Sequence, residues 1–146
     1  MMIGLCIGTG EWLRVAQRAA ARMEKMTGIP CHVVDRVDGN LQHSSWHKLN
    51  LLRDWPDAEL FIFDADIWCA RPWDPRVYLE TGLAMVPELP TYAVRLECAL
   101  YHIPIDRYFN GGVIIADQRA AGIFAATKKL HPTYGLWLEQ TGLSHT

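Results

Sequence analysis

Met2 to Ile7 is a short unbroken apolar run that stops at Gly8-Thr9-Gly10, which predicts a buried strand followed by a tight loop. Beyond it, Trp12, Ala16, Ala19, Met23 and Met26 recur at helical spacing, while Arg14, Arg18, Arg22 and Lys25 fall on the opposite face. Gly28-Ile29-Pro30 ends that helix, and Cys31 to Val34, closed by Asp35, predicts a second strand. A strand, a helix and a strand in that order favour a parallel pair joined by a right-handed crossover.

Asp38-Gly39-Asn40 carries turn chemistry, and Ser44-Ser45 offers an N-cap for a helix running from Trp46 to Arg53, which Trp55-Pro56-Asp57 breaks. Leu60-Phe61-Ile62-Phe63 is apolar throughout, as a central strand buried on both faces would be, and it ends directly in Asp64-Ala65-Asp66. Leu83 to Val86 predicts a fourth strand, Tyr92 to Tyr101 a helix, and Gly112 to Ala116 a fifth strand. Asp117 is placed to cap a helix reaching Lys129, and Thr133 to Gln140 predicts another. Strands alternating with helices predict one α/β domain over residues 1–146, a mostly parallel sheet flanked by helices. The closing Leu143-Ser144-His145-Thr146 lacks a terminating element, which marks the chain as a candidate C-terminally truncated piece.

Composition narrows the partners. The chain is long enough to bury a real core, with half of its residues apolar and 21% charged. A formal net charge of −2 argues against a nucleic-acid partner, whose phosphates need a basic surface. No polybasic tract points to an anionic membrane, and the first apolar run is too short for a signal or a membrane span. Cys6, Cys31, Cys69 and Cys98 are scattered without C-x-x-C or zinc spacing, which predicts reduced thiols and a cytoplasmic protein. The six tryptophans do not by themselves select a carbohydrate-stacking residue.

The candidate chemistry lies after the third strand. In an open α/β sheet, ligands bind beyond the carboxyl ends of the strands, where Asp64 and Asp66 stand. If the backbone stays extended, residues two apart project to the same side. Two neighbouring carboxylates repel, and a hard cation such as Mg²⁺ or Mn²⁺ relieves that repulsion, completing its shell with phosphate and water. The plainer reading of Asp-x-Asp is a capping or turn motif.

Three segments in order, Trp46-His47-Lys48-Leu49, Leu60 to Asp66, and Phe109-Asn110-Gly111-Gly112-Val113-Ile114-Ile115, resemble family 8 glycosyltransferases, the glycogenin-like and bacterial galactosyltransferase-like enzymes. That resemblance implies the GT-A fold, a Rossmann-like nucleotide-sugar transferase domain, and covers most of the chain. It implies a UDP-sugar donor, a carbohydrate or other hydroxyl acceptor, and retention of anomeric configuration. It implies a metal site at Asp64 and Asp66, with Ala65 adding backbone contacts to the nucleotide. Thr9, Gly10 and Glu11 then lie near the base and ribose, and Trp12 falls where the family stacks an aromatic ring on uracil; helical spacing equally makes Trp12 a core residue. Lys48 matches a lysine that contacts the donor phosphates or sugar. Asn110, Gly111 and Gly112 match the loop facing the transferred sugar, although Asn-Gly-Gly alone would read as a hairpin turn.

Two parts of the family pattern are not matched. Asp117-Gln118 lies too close to the glycines to be the family's Asp-Gln pair beside the reacting carbon, and the late metal-ligating histidine motif is missing. No nucleophile or base is therefore assigned. Two other functions fit an acidic pair after a strand: a non-catalytic nucleotide-sugar-binding module or fragment, and a haloacid-dehalogenase-type phosphatase, which would use the first aspartate as nucleophile.

Overall fold

The structure is a computed structural model and describes residues 1–36, 44–129, 140, 143 and 144. The turn expected at Asp38-Gly39-Asn40, the Ser44-Ser45 capping side chains and all of the expected Thr133–Gln140 helix except Gln140 lie outside the described residues.

Five strands form one sheet: β1 (Met2–Ile7), β2 (Cys31–Val34), β3 (Glu59–Phe63), β4 (Leu83–Pro87) and β5 (Phe109–Ala116), in the spatial order β2-β1-β3-β5-β4. β1 pairs in parallel with β2 and with β3, whereas β5 runs antiparallel to both β3 and β4. Four of these five strands therefore point one way and β5 alone is reversed. The helix α1 (Leu13–Thr27) is the expected crossover between β1 and β2, and Gly28 ends it in the left-handed region at φ 68°, its N–H bonding Glu24 O at 2.9 Å. The helix α3 (Tyr92–Tyr101) makes no such crossover: Val94 and Cys98 pack with Ile103 and Tyr108 in a small cluster of their own, and the chain turns back as β5.

The period-two alternation of the strands divides the core. Ile3, Leu5, Leu60, Ile62, Ile114 and Ala116 face one layer, where Trp46, Leu49, Leu51, Leu52 and Phe124 cover them. Met2, Cys6, Phe61, Phe63 and Ile115 face the other, against Ala16, Ala19, Ala20 and Met23 of α1. The helix expected from Trp46 is mostly a 3-10 helix over Ser44–Asn50, followed by a single α turn, α2 (Leu51–Asp54). Residues three apart eclipse in 3-10 winding. Trp46, Leu49 and Leu52 thus form one row, and every residue from 46 to 52 is buried.

Asp117 is an N-cap as expected, its side chain accepting from Arg119 N at 2.8 Å at the start of a 3-10 turn (Gln118–Ala120) that leads into α4 (Ala121–Lys129). The Arg119 guanidinium beside it holds the Asp117 carboxyl below the usual carboxylate range and also donates to Leu79 O and Glu80 O. Among the described residues, no helix is long and apolar enough to cross a membrane.

All four cysteines are free thiols. Cys6 lies on β1 between β2 and β3; burial pushes its thiol up to about 12, and the nearby Asp64 carboxylate adds to the rise. A folded pKa above the unfolded value means stability is full below the unfolded value of 9.0 and is lost toward about 12. Unfolding free energy measured in urea should therefore fall progressively above pH 9.0, and Cys6→Ala should flatten that slope. An unchanged slope in the variant would show that Cys6 contributes nothing to it.

Candidate functional site

The carboxyl ends of β1, β3 and β4 reach one edge of the sheet, and the reversed β5 brings its first residues to the same edge. Asp64 follows β3 there. The backbone does not stay extended: Ile67 N bonds Asp64 O at 3.1 Å, so Asp64, Ala65 and Asp66 occupy a tight turn. The same-side argument from an extended strand therefore does not apply, and it is the turn that carries both carboxylates at the sheet edge. Asp66 is exposed, and the Asp64 side chain is 40% exposed.

Lys48 is buried and held in place. It is 3% exposed, and its Nζ sits 2.6 Å from Asp64 Oδ1 while donating to Gly111 O at 2.8 Å. A buried ammonium is tolerable only when paired and hydrogen-bonded, and these contacts supply that. Its neighbours on the same buried helix are satisfied in the same way: Asn50 Nδ2 lies 3.4 Å from His47 Nδ1, and Lys128 Nζ donates to Asn50 Oδ1.

Asn110-Gly111-Gly112 is not a hairpin turn but the opening of β5. The pairing with β4 jumps here, from Met85 opposite Ile114 to Val86 opposite Asn110, so Gly111 to Val113 bulge out of that ladder. A bulge leaves backbone groups without ladder partners. Side chains take them: Gly111 N donates to Gln140 Oε1 at 3.0 Å and Gly112 N to Asn110 Oδ1 at 2.7 Å. On the β3 side, Asp64 N donates to Gly112 O at 2.9 Å. A Cβ at 112 would lie 2.7 Å from Asn110 Oδ1, so any larger residue there would displace that amide from Gly112 N.

The loop between β1 and α1 adds Thr9, Gly10, Glu11 and Trp12 at the same edge. Trp12 is 53% exposed, so it is not the core residue that helical spacing suggested; α1 begins only at Leu13.

Glu88 and Gln140 were not singled out from the sequence. Glu88 directly follows β4, and its Oε2 accepts from Asn110 Nδ2 at 2.6 Å and from Gln140 Nε2 at 3.3 Å. For Gln140 the sequence carries a signal: Glu139-Gln140 is an acidic-amide pair well downstream of the glycines, with glutamate rather than aspartate as its acid. For Glu88 there was none, because nothing local distinguishes a glutamate after an edge strand.

Among the described residues, no third histidine, cysteine, aspartate or glutamate joins Asp64 and Asp66 as a metal-binding group. Two carboxylates still fit a hard cation of the magnesium type, which takes one or two protein carboxylates and fills its shell with phosphate and water.

No protein-family profile matches this sequence, and no characterised protein matches it by sequence. Solved structures do match its fold. One is the bifunctional glycosyltransferase WbbM in its apo form, at a TM-score of 0.65 and 11% identity over 99% of this chain. The chain spans 37% of that protein's length. Another is a glycosyltransferase involved in glycosylation of the major capsid of PBCV-1, at a TM-score of 0.58 and 11% identity, covering 94% of this chain and 72% of that one. The five-stranded mixed sheet flanked by helices is the fold of GT-A glycosyltransferase structures.

Proposed function

We propose that the chain is the donor-binding portion of a glycosyltransferase that moves a sugar from a UDP-sugar to an acceptor hydroxyl, with Mn²⁺ or Mg²⁺ held by Asp64 and Asp66. One observation carries this reading: the acidic turn, the Lys48 ammonium and the bulged glycine backbone form a single hydrogen-bonded unit at the carboxyl edge of the sheet. That edge is where open α/β sheets bind ligands.

The roles follow from chemistry. Asp64 keeps Oδ2 for a cation while Oδ1 pairs with Lys48, and Asp66 contributes an exposed carboxylate. The cation, when bound, neutralises charge developing on the departing diphosphate. Lys48 orients Asp64 and adds positive potential beneath the phosphates. Trp12 offers a stacking face to uracil beside Thr9, Gly10 and Glu11, and Ala65 offers its backbone. Asn110, Gly111 and Gly112 form the wall toward the transferred sugar, close-packed because glycine admits a near approach. The glycosyltransferase fold of its structural neighbours supports the reading; the Asp-x-Asp metal site, the donor and the acceptor rest on this chain's residues and on the family resemblance.

Titration calorimetry of the wild-type chain with UDP, with and without Mn²⁺, tests the proposal. Binding should tighten by roughly tenfold or more with the metal, a gain of at least about 1.4 kcal/mol. Equal affinity in both conditions would overturn it. Release of UDP from UDP-glucose or UDP-galactose would then separate a transferase from a binding module, and hydrolysis of a generic phosphomonoester would favour the phosphatase instead.

A further inference from the structure

The bulge in β5 sets a local problem. Gly111 and Gly112 have no register partner on β4, and the N–H of each is taken by a side-chain amide oxygen, from Gln140 and Asn110 respectively. A primary amide can present its oxygen or its nitrogen to the same spot, so something has to fix which end faces the glycines. Glu88 does so. Both amide nitrogens donate to its Oε2, which as a carboxylate oxygen accepts only, and its Oε1 is anchored by Leu89 N at 2.9 Å. With the nitrogens held there, the two amide oxygens are turned toward Gly111 and Gly112.

The chain of contacts continues inward. Gly111 O accepts from Lys48, which holds Asp64 Oδ1, and Gly112 O accepts from Asp64 N. A carboxylate just beyond the edge strand β4 is thereby linked through two amides and two glycines to the acidic turn after β3.

We propose that Glu88 is the positioning residue of this site, fixing the Asn110 and Gln140 amides and, through them, the glycine wall against which the transferred sugar packs. The second half of that statement rests on the donor-binding reading given above; the first does not.

The test separates them. In the ligand-free chain, Glu88→Leu should raise amide hydrogen exchange at Gly111 and Gly112 by roughly tenfold or more, with Phe61 and Ile62 in β3 unchanged. Glu88→Gln, which keeps one acceptor oxygen, should restore much of the protection. Gln140→Leu cuts one arm only and should raise exchange at Gly111 but not at Gly112, which keeps the experiment decisive if Glu88→Leu fails to fold. Unchanged exchange at both glycines in Glu88→Leu, or equal rises at both in Gln140→Leu, would overturn the positioning role.

The second readout is affinity measured with Mn²⁺ present. Glu88→Leu should weaken binding of UDP-glucose or UDP-galactose, whichever the wild type prefers, by about tenfold, and UDP alone by less than about threefold. Equal losses for both would overturn the sugar-wall assignment. A wild type with no Mn²⁺-dependent UDP binding would instead overturn the donor-binding reading, while the exchange result still decides whether Glu88 sets the glycines.

Discussion

Asp66→Ala should remove the Mn²⁺-dependent part of UDP affinity, bringing the dissociation constant in Mn²⁺ to within about twofold of its metal-free value. Asp64 cannot compensate, because Oδ1 is already taken by Lys48 at 2.6 Å and one remaining oxygen is a poor site for a divalent ion. Stability should hardly change. Asp66 is exposed in a turn, and substitutions at such positions usually stay within about 0.5 kcal/mol. Calorimetry with UDP, paired with a thermal melt of the same sample, checks both halves. Retained Mn²⁺ dependence in a folded variant would remove Asp66 from the metal site and leave the proposed function without its central contact.

Lys48→Met should have the opposite profile: a large loss of stability. Methionine nearly matches the lysine stem in volume, so packing is kept while the ammonium is lost. Gly111 O loses its donor in a buried setting, and Asp64 loses its countercharge. The Asp64 side chain is 40% exposed, so water rehydrates part of it and the full cost of breaking a buried pair does not apply. About 2–3 kcal/mol is expected, which for a chain of this length lowers the melting temperature by roughly 5–10 °C. A melt within about 1 °C of wild type would show that the ion pair is not formed in solution, since a buried donor cannot be removed without cost.

Stability and ligand affinity would respond differently to these two changes because the residues sit at different depths. Lys48 and the glycine bulge are framework, closed by contacts between segments far apart in the chain. Asp66 and Trp12 are exposed at the edge and free to meet a ligand. A site in which one carboxylate is pre-set by a buried cation and the other is left open is organised before the ligand arrives, which spares ordering cost on binding.

Much of this architecture follows from local pattern. The apolar run of β3, the apolar face of α1, Gly28 at its end, Asp117 as a cap, and the bounds of α3 all come from spacing and capping chemistry within about a dozen residues. The same holds for the placement of an acidic pair at a strand exit. Three matters lay beyond such patterns. β5 runs back along the sheet because it pairs antiparallel with β3 and β4, segments far from it in the chain, while α3 stays on its own side packed with Ile103 and Tyr108. The segment Ser44–Asn50 winds as a 3-10 helix rather than an α-helix, and every residue from 46 to 50 is buried against other parts of the fold, which nothing local to the segment announces. And Asn110-Gly111-Gly112, whose composition suits a hairpin, becomes a bulge because β3 and β4 pair with β5 in registers that do not agree.

The amino-acid sequence by itself determined the order of strands and helices, the two apolar faces of the sheet and the acidic pair at its edge, since periodicity and capping act between near neighbours. Only the tertiary structure decided that Lys48 reaches Gly111 across 63 positions, and that Glu88 gathers Asn110 and Gln140 from 22 and 52 positions away. Those contacts depend on which surfaces of the chain meet once the sheet has formed, and a polar side chain's partner is set by that meeting.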